Sequence, residues 1–480
     1  MMPFMPVILW TDALVFVLLA AIVGGAIYSR HNEYLANAWR RVGGSRAGMA
    51  SLTVLIVFLA IGLLDCLHYR SRLEKAGEQG RTAYSVEVLS VLDALAAGVR
   101  SRNEKTYSAP FATHLYAKET MERPDGTQYR DFPRLQHGGA HLRDVQTDFA
   151  PDVAMTLLRS VALALVAWLL AAASLVALVA RHNGWSGEQG WCAVWRGNTA
   201  VAWQAALVTL LIVALCAFPA LALAGKYHIF GTDKVGQDVF YLTLKSVRTA
   251  LVIGTLTTLV MLPFAVALGI LAGYRGGWVD DVIQYVYTTL NSIPGVLLIA
   301  AAVLMMQVVI DAHPQWFDTA AQRADARLLA LCMILGVTSW TGLCRLLRGE
   351  TLKLRELEYV QAAQAFGVSR TRIMLRHILP NVMHIVLIAM VMDFSGLVLA
   401  EAVLSYVGIG VDPNTISFGT MINTARLELS REPIVWWSLA AAFVFMLVLV
   451  LAANLFADAV RDAFDPRVQS RPRRLAAAPA

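Results

Sequence analysis

Long apolar runs alternate with short polar ones along most of this 480-residue chain. Runs of roughly 18 to 27 residues, each able to cross a hydrocarbon core of about 30 Å as a helix, lie near 7–28, 48–67, 154–180, 199–224, 247–273, 282–310, 328–347, 379–405 and 434–457. The pattern predicts an all-α polytopic membrane protein with about nine transmembrane helices. Between the first two runs, Tyr34 and Trp39 beside Arg40 and Arg41 read as an anchor at the membrane interface. One sizeable polar stretch, 69–153, is an insert of mixed structure. Val88, Leu89, Leu92 and Leu95 give it a helix over Tyr84–Ala97, and Pro110, Pro124, Asp125-Gly126, Pro133 and Gly138-Gly139 mark turns and short strands beyond.

A second polar stretch, Glu356 to Asn381, is basic and flanked by apolar runs. Tyr359, Ala362, Ala363 and Phe366 recur at i, i+3, i+4 and i+7, the spacing of a short amphipathic helix with one apolar face. Gly367 ends it, Ser369 is placed to cap a second helix through Ile373, Met374 and Ile378, and Pro380 marks the return to an apolar run. The expected product is a helix, a tight turn and a helix at a membrane surface.

Composition agrees, with 57% hydrophobic and 15% charged residues and a mean hydropathy of +0.57. The net charge of +6 lies in basic loops beside apolar spans, so it signals topology and no nucleic-acid surface. Arg30, Arg40, Arg41 and Arg46 flank the first turn-around; Arg345, Arg348, Lys353, Arg355, Arg370, Arg372 and Arg376 flank the 356–381 loop; Arg467, Arg471, Arg473 and Arg474 crowd the tail. All three groups are expected inside, which with nine spans puts the N-terminus outside. Lys226, Lys234 and Lys245 then fall on the outer side, against the trend. The first apolar run lacks a basic leading region and a small-residue cleavage pattern and is taken as a retained helix. The five cysteines show no paired or metal-like spacing. His114, His137 and His141 have no supporting ligand pattern, so no metal site is expected. No Walker A pattern occurs, which leaves any ATPase to another subunit.

Other positions carry chemistry of their own. In His228–Gly254, Gly231 and Gly236 allow turns, and Thr232, Asp233 and Asp238 can cap a helix at the outer surface. Gly273 to Asp281 is expected as a short inner turn. Pro294 is expected inside the sixth span, either lining a water-filled path or making a packing kink. Asp393 and Glu401 fall inside the eighth span, where ionisable groups face a bundle interior or a hydrated cavity. Pro294, Asp393 and Glu401 are candidates for the translocation path or gate, although for Glu401 a hydrogen-bonded structural role is preferred to a substrate contact.

The segment containing Ala362, Ala363, Gly367, Leu379 and Pro380 resembles the cytoplasmic loop of binding-protein-dependent ABC import permeases on which the transport ATPase docks. Gln361 stands where that family has a Glu, and the HILPN run resembles its peptide-importer branch. Three further segments resemble the same branch in the right order: the Gly231, Thr232, Asp233, Gly236, Asp238 entrance segment, Leu404–Ile422, and Asn454–Arg467. The Trp-Arg-Arg run at Trp39 resembles the start of such permeases. The resemblance implies a type I ABC importer permease core over 228–467. It implies an ATPase-docking site at Glu358, Gln361, Ala362, Ala363, Gly367, Arg370, Leu379 and Pro380.

The expected organisation around that core is an N-terminal extension with two transmembrane helices (1–68), a periplasmic insert (69–153), two further helices (154–227) and a cytoplasmic tail (468–480). The resemblance implies a permease subunit of the bacterial inner membrane that moves di- or oligopeptides. Its partners would be a homologous second permease, two ABC ATPases that carry ATP and Mg2+, a periplasmic binding protein and lipids. No catalytic residue, bound cofactor or metal is expected on this chain. Nickel, oligosaccharide or antimicrobial-peptide cargo fits the same machinery. For the insert, a contact surface for the binding protein and a packed cap over the mouth stand equal. A secondary transporter would need mid-membrane coupling carboxylates or an inverted repeat, and a membrane-embedded hydrolase would need its own motif; neither is found.

Overall fold

A computed structural model describes residues 4–31, 33–72, 84–123 and 127–464 of the chain. The expected turn at Pro124, Asp125 and Gly126, the tail residues Asp465, Arg467, Arg471, Arg473 and Arg474, and the side chains of Arg30 and Tyr34 lie outside that description.

The chain opens with strand β1 (Phe4–Val7), helix α1 (Trp10–His31), the amphipathic α2 (Glu33–Gly44) and α3 (Arg46–Cys66). Strand β2 (His68–Ser71) follows and pairs antiparallel with β1, Phe4 opposite Ser71 and Val7 opposite His68. The first apolar run is therefore a strand at 4–7 and a helix from Trp10, because the sheet takes the residues before Ile8. In the insert, β3 (Leu89–Ser90), α4 (Val91–Leu95) and α5 (Ala97–Arg100) replace the expected helix over 84–97. Ser90 sets the later start. Its hydroxyl accepts from the Asp93 N–H at 3.1 Å and Asp93 accepts from the Ser90 N–H at 2.9 Å, a capping box that fixes the first turn. The hairpin of β4 (Glu119–Glu122) and β5 (Gln128–Asp131) supplies the expected short strands.

Next come α6 (Val145–Asn183), the short α7 (Gly187–Arg196) and α8 (Trp203–Ala224). They lead into α9 (Val239–Arg275), α10 (Gly277–Ser292) and α11 (Gly295–Ala312). The expected sixth span is broken. Pro294 separates two helices instead of sitting inside one, and Ile293 before it is extended at φ −88° and ψ 132°, the region that a following proline favours. The expected turn at 273–281 is confined to Gly276 and Gly277, both at positive φ; Trp278 to Asp281 are already helical.

The remaining elements are a 3-10 turn (Pro314–Trp316), α12 (Ala320–Ser339), α13 (Thr341–Arg355), α14 (Glu358–Ala365), α15 (Arg370–Ile373), a π-turn (Met374–Ile378), α16 (Leu379–Val407), α17 (Phe418–Glu428) and α18 (Trp437–Phe464). Among the described residues, nine helical stretches are long and apolar enough to cross a membrane. Helix α9 lies at the centre. Its Gly254 meets the Phe394 ring, Gly269 lies 2.9 Å from the Cys344 carbonyl for an added Cβ, and Gly336 of α12 meets Val260. Small residues let these backbones approach closely where no water is present to drive association.

The bundle has two distinct ends. The insert, β1, the 225–238 segment and the 408–436 loop share one, since Ser108 N–H donates to Thr232 Oγ1 at 2.7 Å and Trp437 Nε1–H to the Thr232 carbonyl at 2.9 Å. Helices α2 and α10, the 356–381 loop and the end of α18 share the other, where the Trp39 and Phe464 rings meet at 5.5 Å.

Candidate functional site

The 356–381 loop forms a helix, a turn and a helix. Gly367 has φ +75°, its N–H donates to the Gln364 carbonyl at 3.0 Å, and the Val368 N–H donates to the Ala363 carbonyl at 3.1 Å. This pair of bonds is a Schellman closure, which needs a left-handed residue after the helix and so favours glycine. The apolar face differs from expectation. Val360 is fully buried and Ala363 and Val368 pack with it, while Tyr359, Ala362 and Phe366 point outward, Phe366 being 87% exposed. The helix rests on α9 and α13, so the 359/362/366 stripe is what the loop offers to a neighbour. The second half turns Ile373 and Ile378 inward as expected. Ser369 occupies the cap position, but its side chain makes no capping hydrogen bond. The π-turn before Leu379 lets the helix pass Pro380, which lacks an N–H and clashes with an ordinary i−4 carbonyl.

Of the expected docking residues, Glu358, Gln361, Ala362, Gly367, Arg370 and Pro380 are exposed, and Ala363 and Leu379 half-buried. The loop is braced from behind. Gln364 Nε2 donates to the Tyr274 hydroxyl at 3.2 Å, Asn381 Nδ2 to the Tyr359 hydroxyl at 3.0 Å, and Gln361 Nε2 to the Glu356 carbonyl at 3.2 Å. Arg348 of α13 holds Asp280 of α10 through Nε at 2.5 Å and Nη2 at 2.7 Å. Its bond to Arg348 keeps the Asp280 carboxyl below the usual carboxylate range.

At the opposite end, three of the five expected entrance residues, Gly231, Thr232 and Gly236, meet the insert. Gly231 and Gly236 have positive φ, and a methyl at either would overlap a carbonyl of the insert, that of Ser108 or of Glu104. Only Asp238 caps α9, accepting from the Phe240 N–H at 2.8 Å. Thr232 instead bonds the insert backbone, and Asp233 accepts from the N–H groups of Val235 and Gln237 to close the local turn. His228 lies between Asp238 (2.6 Å) and Glu104 (3.4 Å), all buried. Burial lowers the His228 pKa, but the bonds to Asp238 and Glu104 outweigh it and raise it to about 9. Burial raises the Glu104 pKa, but the bond from His228 and three backbone N–H donors at 136–138 bring it to about 2.

Sequence reasoning missed the charged knots beneath the insert. Arg248 of α9 donates to Asp12 of α1, and Asp12 also bonds His68 at 2.8 Å. Lys245 bonds Asp93 at 2.8 Å and lies 3.3 Å from Asp65. The signal was present, since Asp12 and Arg248 interrupt apolar runs and such charges need partners. The anomalous outer lysines are partly explained too: Lys226 pairs with Asp152 at 2.6 Å and Lys245 with Asp93, so both are neutralised locally.

Glu401 is buried and accepts from the hydroxyls of Ser405 (2.7 Å) and Ser417 (2.9 Å), which ties α16 to the start of α17. Asp393 is half-buried with no hydrogen-bond or ion partner among the described residues. Pro294 is exposed at the α10–α11 break. These three are not brought together into one site. His114, His137 and His141 are likewise not gathered into a metal-like group; among the described residues there is none, and His141 pairs with Asp152.

The family model for the binding-protein-dependent transport system inner membrane component matches residues 265–470. The oligopeptide transport system permease protein OppC of Mycobacterium bovis is 32% identical over 288 residues, covering 57% of this chain and 92% of the relative. OppC of Bacillus subtilis is 30% identical over 51% of this chain and 73% of the relative. The dipeptide transport system permease protein DppC of Lactococcus lactis subsp. cremoris is 31% identical over 50% of this chain and 64% of the relative. A chain from inward-facing structures of the MetNI methionine ABC transporter aligns over 47% of this chain and 98% of its own length, with 16% identity and a TM-score of 0.36. The chain therefore belongs to the family of inner membrane components of binding-protein-dependent transport systems, as a multi-pass ABC importer permease of the branch that contains OppC and DppC.

Proposed function

We propose that this chain is one of two membrane subunits of an ATP-driven importer of di- or oligopeptides, working with a homologous permease, two ATPase subunits and a periplasmic binding protein. The relatives named as oligopeptide and dipeptide permeases support the cargo class. The observation that carries the mechanical part is the exposed helix–turn–helix at 358–378, which is rigidly backed by α9 and α13 and continuous with α16. A push on α14 is thereby transmitted into spans that run the full depth of the bundle. ATP binding and hydrolysis belong to the partner subunits, and this chain binds no nucleotide. Closure of the ATPases biases a two-state bundle between outward and inward openings.

In this reading the 356–381 end is cytoplasmic, and the insert and the N-terminal strand are periplasmic. The core spans 228–467, and α1, α3, α6 and α8 flank it. The test is purification of the co-expressed complex followed by reconstitution. Copurified ATPase and peptide-stimulated ATP-dependent uptake are expected. A chain that purifies without any ATPase and transports without ATP would overturn the reading.

A further inference from the structure

Behind the Gly367 turn lies a cavity of about 390 Å³ lined by Tyr274, Arg275, Arg355, Gln364, Val368 and Arg370. The end of α9, the end of α13, α14, the turn at Val368 and the first residue of α15 build it. Arg355 is engaged by Glu356 at 3.1 Å, whereas Arg275 and Arg370 have no carboxylate partner among the described residues. The Tyr274 hydroxyl accepts from Gln364, which leaves its own hydrogen free to donate. The walls thus present mainly donors, and guanidinium groups repel one another unless an anion joins them. Planar guanidinium forks match a carboxylate bidentately. On the same loop Phe366 is 87% exposed and Leu375 62% exposed, large apolar side chains open to a partner surface.

We propose that this cavity receives a carboxylate-bearing side chain of the ATPase subunit, with Phe366 seated in an adjoining apolar recess of that subunit. The inference rests on the docking reading above and adds its chemistry: the permease supplies the cations and the aromatic anchor, the ATPase the acid and the groove. Charge complementarity and continuity with the docking helices select this occupant. Arginines and large aromatic side chains in desolvated pockets are enriched among interface hot spots.

The test uses the whole co-expressed complex. Arg275→Glu/Arg370→Glu is compared with wild type and with Arg372→Glu, which lies outside the cavity, for ATPase retained across a salt series. The double variant should retain about tenfold less ATPase at intermediate salt, with Arg372→Glu near wild type. Milder Arg→Gln variants at both positions should fall between, which guards against a folding defect. Arg370→Lys should also form a carbodiimide cross-link to an acidic residue of the ATPase. Wild-type retention and salt profile in the double variant would overturn this proposal while leaving the docking reading intact. A double variant that kept its ATPase but lost copurifying anionic phospholipid would overturn it in favour of a headgroup site. Absence of ATPase from the wild-type preparation would overturn both.

Discussion

Arg248 and Asp12 meet inside the bundle, with Nη2 2.6 Å and Nε 3.2 Å from the same carboxylate oxygen. Asp12 is fully buried and belongs to the first helix of the chain, Arg248 to the central one, so the pair fastens α1 to α9. Removing one partner of a buried pair leaves an uncompensated charge and costs about 3–5 kcal/mol. Arg248→Met should therefore destabilise the detergent-purified protein strongly, and Asp12→Asn added to it should recover part of the loss. Equal thermal stability of wild type and Arg248→Met would show that the seating of α1 does not depend on this pair.

His228 gives the insert a pH dependence of defined sign. Its folded pKa, about 9, lies above the ordinary 6.5, so its contribution is full below about 6.5 and is lost as pH rises through 9. Glu104, lowered from 4.5 to about 2, contributes fully above about 4.5 and loses that contribution as pH falls through 2. Attachment of the insert should thus be firmest between these windows. A cysteine at Ser108, which is fully buried against Thr232, reports lifting of the insert. Its labelling rate, divided by that of an exposed cysteine at Ala117 measured at the same pH, should rise from pH 7 to 9, and His228→Gln should flatten that rise. A flat wild-type profile would refute the clamp.

Glu401 lies where α16 meets the cap of α17, and both hydroxyls that face it point at one oxygen. Glu401→Ala strands those donors and should cost about 1–3 kcal/mol. Glu401→Gln keeps an acceptor there and should cost less. Neither should alter which peptides compete for uptake; a changed competition profile with normal assembly would make Glu401 a cargo contact.

The spans and the helix–turn–helix at 358–378 were legible because each rests on a local rule: apolar length for the helices, and a glycine after an amphipathic run for the turn. The errors came where tertiary contacts override local pattern. Tyr359, Ala362 and Phe366 have helical apolar spacing, yet α9 and α13 take the Val360 side. Pro294 was expected inside a single span because the apolar composition runs on through the break. Thr232 resembled a helix cap, but the insert, more than a hundred residues earlier in sequence, claims its hydroxyl. Long-range polar pairs such as Arg248–Asp12 leave only half of their signal at each position.

The two-ended arrangement fixes relative sidedness, and labelling supplies the absolute one. Ala117 and Ser369 are both exposed and lie at opposite ends, so Ala117→Cys and Ser369→Cys, each in a background without the five native cysteines, make a matched pair of probes. An impermeant maleimide added to intact spheroplasts should reach the Ala117→Cys thiol and spare the Ser369→Cys thiol. The reverse pattern would invert the topology, and with it the docking reading.

Gly367 permits the sharpest test, because its two possible roles separate. Apart from its two chain neighbours, nothing among the described residues lies within 4 Å of a Cβ placed there, so a side chain meets no other described part of the subunit. What the chain itself demands is the φ of +75° that closes the Schellman turn. Alanine in that conformation costs roughly 1 kcal/mol, while asparagine tolerates it better. If backbone shape alone matters, Gly367→Asn should behave close to wild type and Gly367→Ala slightly worse. If the ATPase also packs against this face, any side chain obstructs the approach, and Gly367→Asp adds a charge to be desolvated. We expect the second order. All three variants should reach the membrane and remain monodisperse, with copurified ATPase and uptake falling from Gly367→Ala through Gly367→Asn to Gly367→Asp. Wild-type coupling in Gly367→Asp would remove this loop as the mechanical link between ATP hydrolysis and the spans.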